Sequence, residues 1–153
     1  MCIRDRAIKI AQKAPTACNR QASKVYLYKD KATNDALGEL IAGNTGFQQE
    51  VPNYLVVTAD VSAFYDTFER NQVYVEAGLF SMALVEALHY YGIGSCILQN
   101  GEYYKKNKKF KEICKNIPEN ERIILFVATG YYKNEFSYAM SLRKNVEDVF
   151  IVK

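Results

Sequence analysis

Four short segments with strand character, near residues 24–29, 53–59, 95–98 and 122–129, alternate with segments of helical period, and no other feature restricts the fold as much. "SKVYLYKD" alternates Val25 and Leu27 with polar residues and tyrosines, the pattern of a half-buried strand. "YLVVTAD" and "RIILFVATGYY" are continuous apolar runs, as expected of central strands covered on both faces. Such strands must bury their faces against helices, so the expectation is three layers, helices on either side of a mixed sheet. A chain of 153 residues suits one domain spanning 1–153, with no internal repeat or linker.

The helical segments carry their own punctuation. "AIKIAQKA" places Ile8 and Ala11 at helical spacing, with Asp5 as the expected N-cap. "ATNDALGELIAGN" has Ala36, Leu37, Leu40 and Ile41 on one face, with Gly43-Asn44 as the expected stop. The strongest pattern runs from about Glu69 to Tyr91, where Val73, Ala77, Phe80, Ser81, Leu84 and Leu88 recur at steps of three and four. Its small residues, Ala77, Gly78, Ser81 and Ala83, allow close backbone approach, either within the chain or across a dimer. Gly92 and Gly94 end this helix before the strand Ser95 to Leu98, and a further helix is expected from about Tyr103 to Lys115. The tail "VFIVK" is apolar enough to pair as one more strand, on its own sheet or on a partner's.

Composition narrows the partners. Twenty basic against 17 acidic residues give a net charge of +3, too small for binding driven by neutralising a nucleic-acid backbone. Lys105, Lys106, Lys108, Lys109 and Lys111 lack interleaved loop aromatics and read as a solvated helix face. Cys2, Cys18, Cys96 and Cys114 form no CxxC pair, and His89 alone cannot complete a zinc set, so no metal site is expected. Reduced cysteines in a cytoplasmic protein are the simplest account, and no apolar run is long enough to cross a bilayer as a helix. There is no GxGxxG after a strand, no GxxxxGK[ST] loop and no GxSxG elbow. His89 reads as a packed or hydrogen-bonded core residue. Side chains this poor in acid-base groups imply that any enzyme here relies on a cofactor for the difficult step.

"APTACNRQ", residues 14–21, crowds polar residues into a connection that needs only a stop signal. A helix ending this way before a strand resembles the nitroreductase family of flavoproteins, whose helix ends in Ala-Pro-Ser-x-x-Asn-x-Gln. "GNTGFQQEVPNYLVV", the helix "ERNQVYVEAGLFSMALVEALHYYGIGSC", "IILFVATGYY" and "SLRKNVEDV" follow in the family's order, so the resemblance extends over nearly everything from Ala7 onward. It implies an α+β sandwich that forms an interwoven homodimer with FMN at the interface. Small residues on the long helix and an apolar tail both suit such a dimer.

Carried onto this sequence, the resemblance makes Pro15, Thr16, Ala17, Asn19 and Gln21 a cofactor-binding loop that reaches the flavin of the neighbouring subunit. Thr16 keeps the hydroxyl of the family's serine, a donor suited to ribityl and ring oxygens. Gln48 matches a position that faces the flavin's pyrimidine edge, or else is a solvated loop glutamine. Gln99 and Asn100 match the segment whose backbone N–H groups face flavin N5 and O4. Arg143 and Lys144 match the basic pair at the FMN phosphate, and a plain surface pair is the alternative. No side chain is expected to be catalytic in its own right.

The family's opening Arg-Arg-Ser or Arg-x-Ser element is the point of departure. Arg4 and Arg6 precede Pro15 by only 11 and 9 residues and cannot be that element. The chain is therefore expected to lack its N-terminal segment, with residues 1–6 foreign to the family, an authentic short start being the other reading.

By resemblance, the expected activity is that of an NAD(P)H-dependent FMN oxidoreductase, passing hydride through flavin N5 to a small-molecule nitroaromatic or quinone-type acceptor by ping-pong turnover. The alternative is a non-catalytic flavin-binding or structural homologue of the same fold. Neither the physiological acceptor nor a preference between NADH and NADPH is written in these residues.

Overall fold

The order of elements is α1 (Ile3–Ala11), β1 (Ser23–Tyr28), α2 (Lys31–Leu40), β2 (Asn53–Asp60), α3 (Gln72–Tyr90), β3 (Ile93–Gln99), α4 (Tyr104–Ile113) and β4 (Glu121–Tyr131). The structure is a computed structural model that describes residues 3–101, 104–138 and 140–152; Cys2, Tyr103 and Lys153, which the sequence reading names, lie outside the described residues. Alternation along β2 creates the layers, because successive side chains point to opposite faces of a sheet. Tyr54 and Val56 enter a core with Leu37 of α2, Ile41 just after it, Phe110 of α4, Cys114 and Phe126. Leu55 and Val57 enter the opposite core, with Ala7 and Ala11 of α1 and Phe80, Leu84 and Leu88 of α3. The three-layer α+β sandwich is thus as expected.

Its sheet differs in one respect. The strand order is β1-β2-β4-β3 and all three pairings are antiparallel, so the mixed sheet expected from the sequence is corrected. β2 and β3 do run in the same direction, as a helical crossover through α3 requires, but β4 lies between them and pairs with both. Among the described residues the tail adds no strand to the chain's own sheet. Residues 140–152 hold a 3-10 turn, Val146–Asp148, within otherwise irregular chain, with Val149, Phe150, Ile151 and Val152 all exposed.

A bulge in β4 decides where one charge goes. The register advances from Val57↔Leu125 to Thr58↔Ile123, skipping Ile124. That extra residue transfers Ile123 and Glu121 to the face of Phe126, while Ile124 packs beside Ala59, Val73 and Ala77 on the other. Glu121 is then fully buried, yet Lys24 Nζ reaches it at 2.5 Å, the Thr58 hydroxyl at 2.7 Å and the Tyr26 hydroxyl at 2.9 Å. Burial pushes the carboxyl's pKa up, but these three donors outweigh it and hold the group below its ordinary value.

Helix ends were the least accurate part of the sequence reading. α2 stops at Leu40, with Ile41 extended, rather than at Gly43-Asn44. Asn44 instead reaches back, donating from Nδ2 to the Gly38 carbonyl at 2.8 Å and to the Tyr54 hydroxyl oxygen at 3.3 Å, while Gly43 takes a left-handed φ of 89° to turn the chain. α3 starts at Gln72, and Glu69 belongs to a preceding 3-10 turn, Thr67–Glu69. Asp5 lies inside α1 rather than capping it. His89 is exposed in the last turn of α3, not in the core, with Nδ1 2.8 Å from the Tyr132 hydroxyl. Among the described cysteines, Cys18, Cys96 and Cys114 are free thiols.

Candidate functional site

The loop between α1 and β1 has the most constrained backbone of any loop described. Pro15 follows α1, Thr16 is extended with φ −134° and ψ 145°, and Ala17–Asn19 form a 3-10 turn. Cys18, Asn19 and Gln21 have φ of 52°, 55° and 52°, the only described non-glycine residues in the left-handed region. Asparagine tolerates that region, whereas for cysteine and glutamine it costs about 1 kcal/mol each.

Local hydrogen bonds close the loop on itself. The Gln21 amide donates to Thr16 Oγ1 at 3.3 Å, and the Arg20 amide donates to the Ala17 carbonyl at 3.1 Å. Gln21 Nε2 donates to Asn19 Oδ1 at 3.1 Å, so two of the expected cofactor residues hold one another. A cavity of about 90 Å³ opens beside them, with Thr16, Gln21, Gln12, Ser23 and Phe80 in its wall. Ser23 Oγ is buried and has no partner.

Two acidic residues outside the loop complete its support. Glu76 of α3 is 1% exposed and accepts the Ala17 amide at Oε1, 2.7 Å away. Glu69 accepts from Arg20 Nη1 at 2.5 Å, while the same guanidinium lies 5.0 Å from the Tyr65 ring centre and 5.6 Å from that of Phe64. Bonding to Glu69 raises the pKa of Arg20. The sequence reading missed both carboxylates. The available signal was Glu76 itself, an acid between Val73, Ala77 and Phe80 on a stripe read as core.

The remaining expected site residues lie elsewhere. Gln48 is half-buried in the 3-10 turn Gln48–Glu50, beside Gly38 of α2, at the end of the sheet where β2 begins. The 15–21 loop adjoins the opposite end, since Ser23 pairs with Ala59 near the end of β2. Gln99 ends β3 at the far edge of the sheet and is exposed. Asn100 was expected to act through its backbone; its side chain donates to the Ile123 carbonyl at 2.8 Å and to Asn107 Oδ1 at 3.2 Å. Arg143 and Lys144 are exposed, and Arg143 Nη1 donates to the Ser141 carbonyl at 3.1 Å. Within one chain, then, the structure brings together Pro15, Thr16, Ala17, Asn19 and Gln21 but not Gln48, the pair Gln99 and Asn100, or the pair Arg143 and Lys144.

No group of three or more metal-ligating side chains occurs among the described residues. No described helix is long and apolar enough to cross a membrane. Two surfaces lack cover: Val75, Leu79 and Met82 form an exposed apolar row along α3, and Phe136, Tyr138, Met140 and Leu142 are exposed in the segment after β4.

An antiparallel sheet between two helix pairs, with a left-handed loop feeding its edge strand, defines the class as an α+β sandwich. The nitroreductase family model matches residues 3–131, and the chain belongs to that family. Solved structures of similar fold include a nitroreductase family protein from Streptococcus pneumoniae TIGR4, 24% identical, covering 99% of this chain and 88% of that one with a TM-score of 0.79. An FMN-dependent nitroreductase from Clostridium difficile R20291 is 20% identical over 96% of this chain and 82% of that one, TM-score 0.73. A protein from Desulfovibrio desulfuricans, described as a nitroreductase and solved with FMN, is 17% identical over 98% and 83%, TM-score 0.77. No curated protein matches the chain.

Proposed function

We propose that this protein is an FMN-dependent oxidoreductase that works as a homodimer in the cytoplasm and takes reducing equivalents from NAD(P)H. The observation that carries the reading is the 15–21 loop. It keeps three non-glycine residues left-handed in a segment that contributes no large side chain to either core, and such strain concentrates at functional sites. Family membership gives the loop a use, and the similarity to proteins described as FMN-dependent or FMN-bound supports the choice of cofactor.

The residues present fit a flavin. Ser23 Oγ is a buried hydroxyl without a partner beside Thr16 and Gln21, a donor set matched to ribityl and ring oxygens. Thr16, Asn19 and Gln21 would hold the polar edge, Gln48 the pyrimidine side, the backbone of Gln99 and Asn100 the reactive edge, and Arg143 and Lys144 the phosphate. Bound FMN would supply two-electron chemistry at N5, accepting hydride from NAD(P)H and delivering it to a nitroaromatic or quinone-type acceptor in ping-pong turnover. The chain's own contribution is orientation, backbone donors and cations that favour the reduced, anionic cofactor. Because one chain holds the 15–21 loop and Gln48 at opposite ends of its sheet, with Gln99 on the far edge strand, a site that uses all of them draws on two copies. The exposed row on α3 and the uncovered segment after β4 are apolar surfaces suited to that association.

Titration of FMN into the purified protein, followed by flavin fluorescence and then NADH oxidation, tests the reading. Quenching with a yellow, NADH-oxidising dimer is expected. A protein that stays colourless and oxidises no NADH defeats it, and binding without oxidation leaves the non-catalytic homologue.

A further inference from the structure

We propose that Glu76 and Glu69 are positioning residues: together they clamp the 16–21 loop in the left-handed form that would receive the cofactor, an inference that rests on the flavin reading above. The two grip either side of Cys18 and Asn19, two of the three left-handed residues. Glu76 takes the Ala17 amide at 2.7 Å, immediately before Cys18, and Glu69 takes Arg20 at 2.5 Å, immediately after Asn19. Both come from one stretch of chain, the 3-10 turn Thr67–Glu69 and the start of α3, so the clamp is built on an element anchored by Val73, Ala77 and Phe80.

The chemistry argues against a purely stabilising role. Glu69 Oε2 and Glu76 Oε2 are both buried and have no hydrogen-bond partner. A half-satisfied buried carboxylate destabilises relative to an apolar side chain of the same size, and such groups persist where they specify a conformation. Here the conformation specified is one the loop's own residues disfavour. A charge-assisted bond to a backbone N–H is short and strong enough to hold it. Glu76 Oε1 is itself steadied by Gln72 Nε2 at 3.1 Å, four residues earlier on the same helix.

The test uses the whole chain and reads the loop before any cofactor is added. Amide exchange at Ala17 in Glu76→Ala should accelerate at least about tenfold, the loss of one bond to a charged acceptor, while β2 amides keep their protection. Glu76→Gln retains an acceptor oxygen and should restore most of that protection. FMN affinity should follow the same order, falling about tenfold in Glu76→Ala and recovering in Glu76→Gln. Unchanged Ala17 exchange in Glu76→Ala, or faster exchange with unchanged FMN affinity, would overturn the clamp. Should Glu76→Ala lose β2 protection as well, Glu69→Ala decides, since it removes the acceptor that Arg20 meets and leaves Glu76 in place: FMN affinity falling with β2 protection intact supports the clamp, and unchanged affinity overturns it. Failure of the unaltered protein to bind FMN defeats the flavin reading and the clamp's purpose, whereas Ala17 exchange separately decides whether the carboxylate holds the loop.

Discussion

Glu121 and Glu76 are both buried carboxylates, but their surroundings differ in completeness. Glu121 sits where β1, β2 and β4 meet, with Lys24 and Tyr26 from one strand and Thr58 from the next donating to its two oxygens. Glu76 faces a loop, bonds through one oxygen and leaves the other without a partner. The first arrangement ties neighbouring strands and is fully satisfied, so it serves stability. The second accepts an unmatched oxygen to fix a backbone that would otherwise relax, so it serves position.

The largest effect is expected at the satisfied site. Glu121→Ala should lower unfolding stability by about 3 kcal/mol in urea titration, because Lys24, Thr58 and Tyr26 lose a shared acceptor. A loss below about 1 kcal/mol would erase the distinction from an ordinary surface pair. The same group sets an acid limit. Its folded pKa lies below the unfolded one, so its contribution is present above the usual glutamate value, about 4.3, and is lost as pH falls through the folded value. Between about pH 5 and pH 3 the natural protein should therefore lose stability more steeply than Glu121→Gln, and parallel curves would show that the pKa is not depressed.

Glu76→Ala should cost less stability, about 1–2 kcal/mol, since the freed Ala17 amide sits in a loop that water can reach. A cost equal to that of Glu121→Ala would make Glu76 a core element and blunt the comparison. Smallest is Thr16→Ala, with stability within about 0.5 kcal/mol of the natural protein. Its FMN affinity should nevertheless fall several-fold, read by fluorescence titration, because the hydroxyl stands in the wall beside Ser23. An unchanged affinity would remove Thr16 from the site.

Much of the fold was legible because periodicity is local. The continuous apolar run of β2 marks a strand that the structure buries on both faces, and the steps of three and four in α3 name the face it buries. Helix ends were less legible, since Asn44 ends α2 through a side chain that reaches back to Gly38, which a capping rule based on glycine position does not anticipate. The loop at 15–21 was visible as a concentration of polar residues with no local task. Its support by Glu69 and Glu76 was not, because the 49 and 59 residues that separate each pair carry no periodic signal.

The sequence by itself determined the alternation of elements, the apolar faces, the family and the loop that marks it, all of which depend on residues close together along the chain. Only the tertiary structure decided that β4 separates β2 from β3 and that a bulge at Ile124 turns Glu121 inward. It also decided that two distant acids hold the loop. Strand order and charge burial are set by which surfaces meet after collapse, and that depends on contacts between segments far apart in the chain.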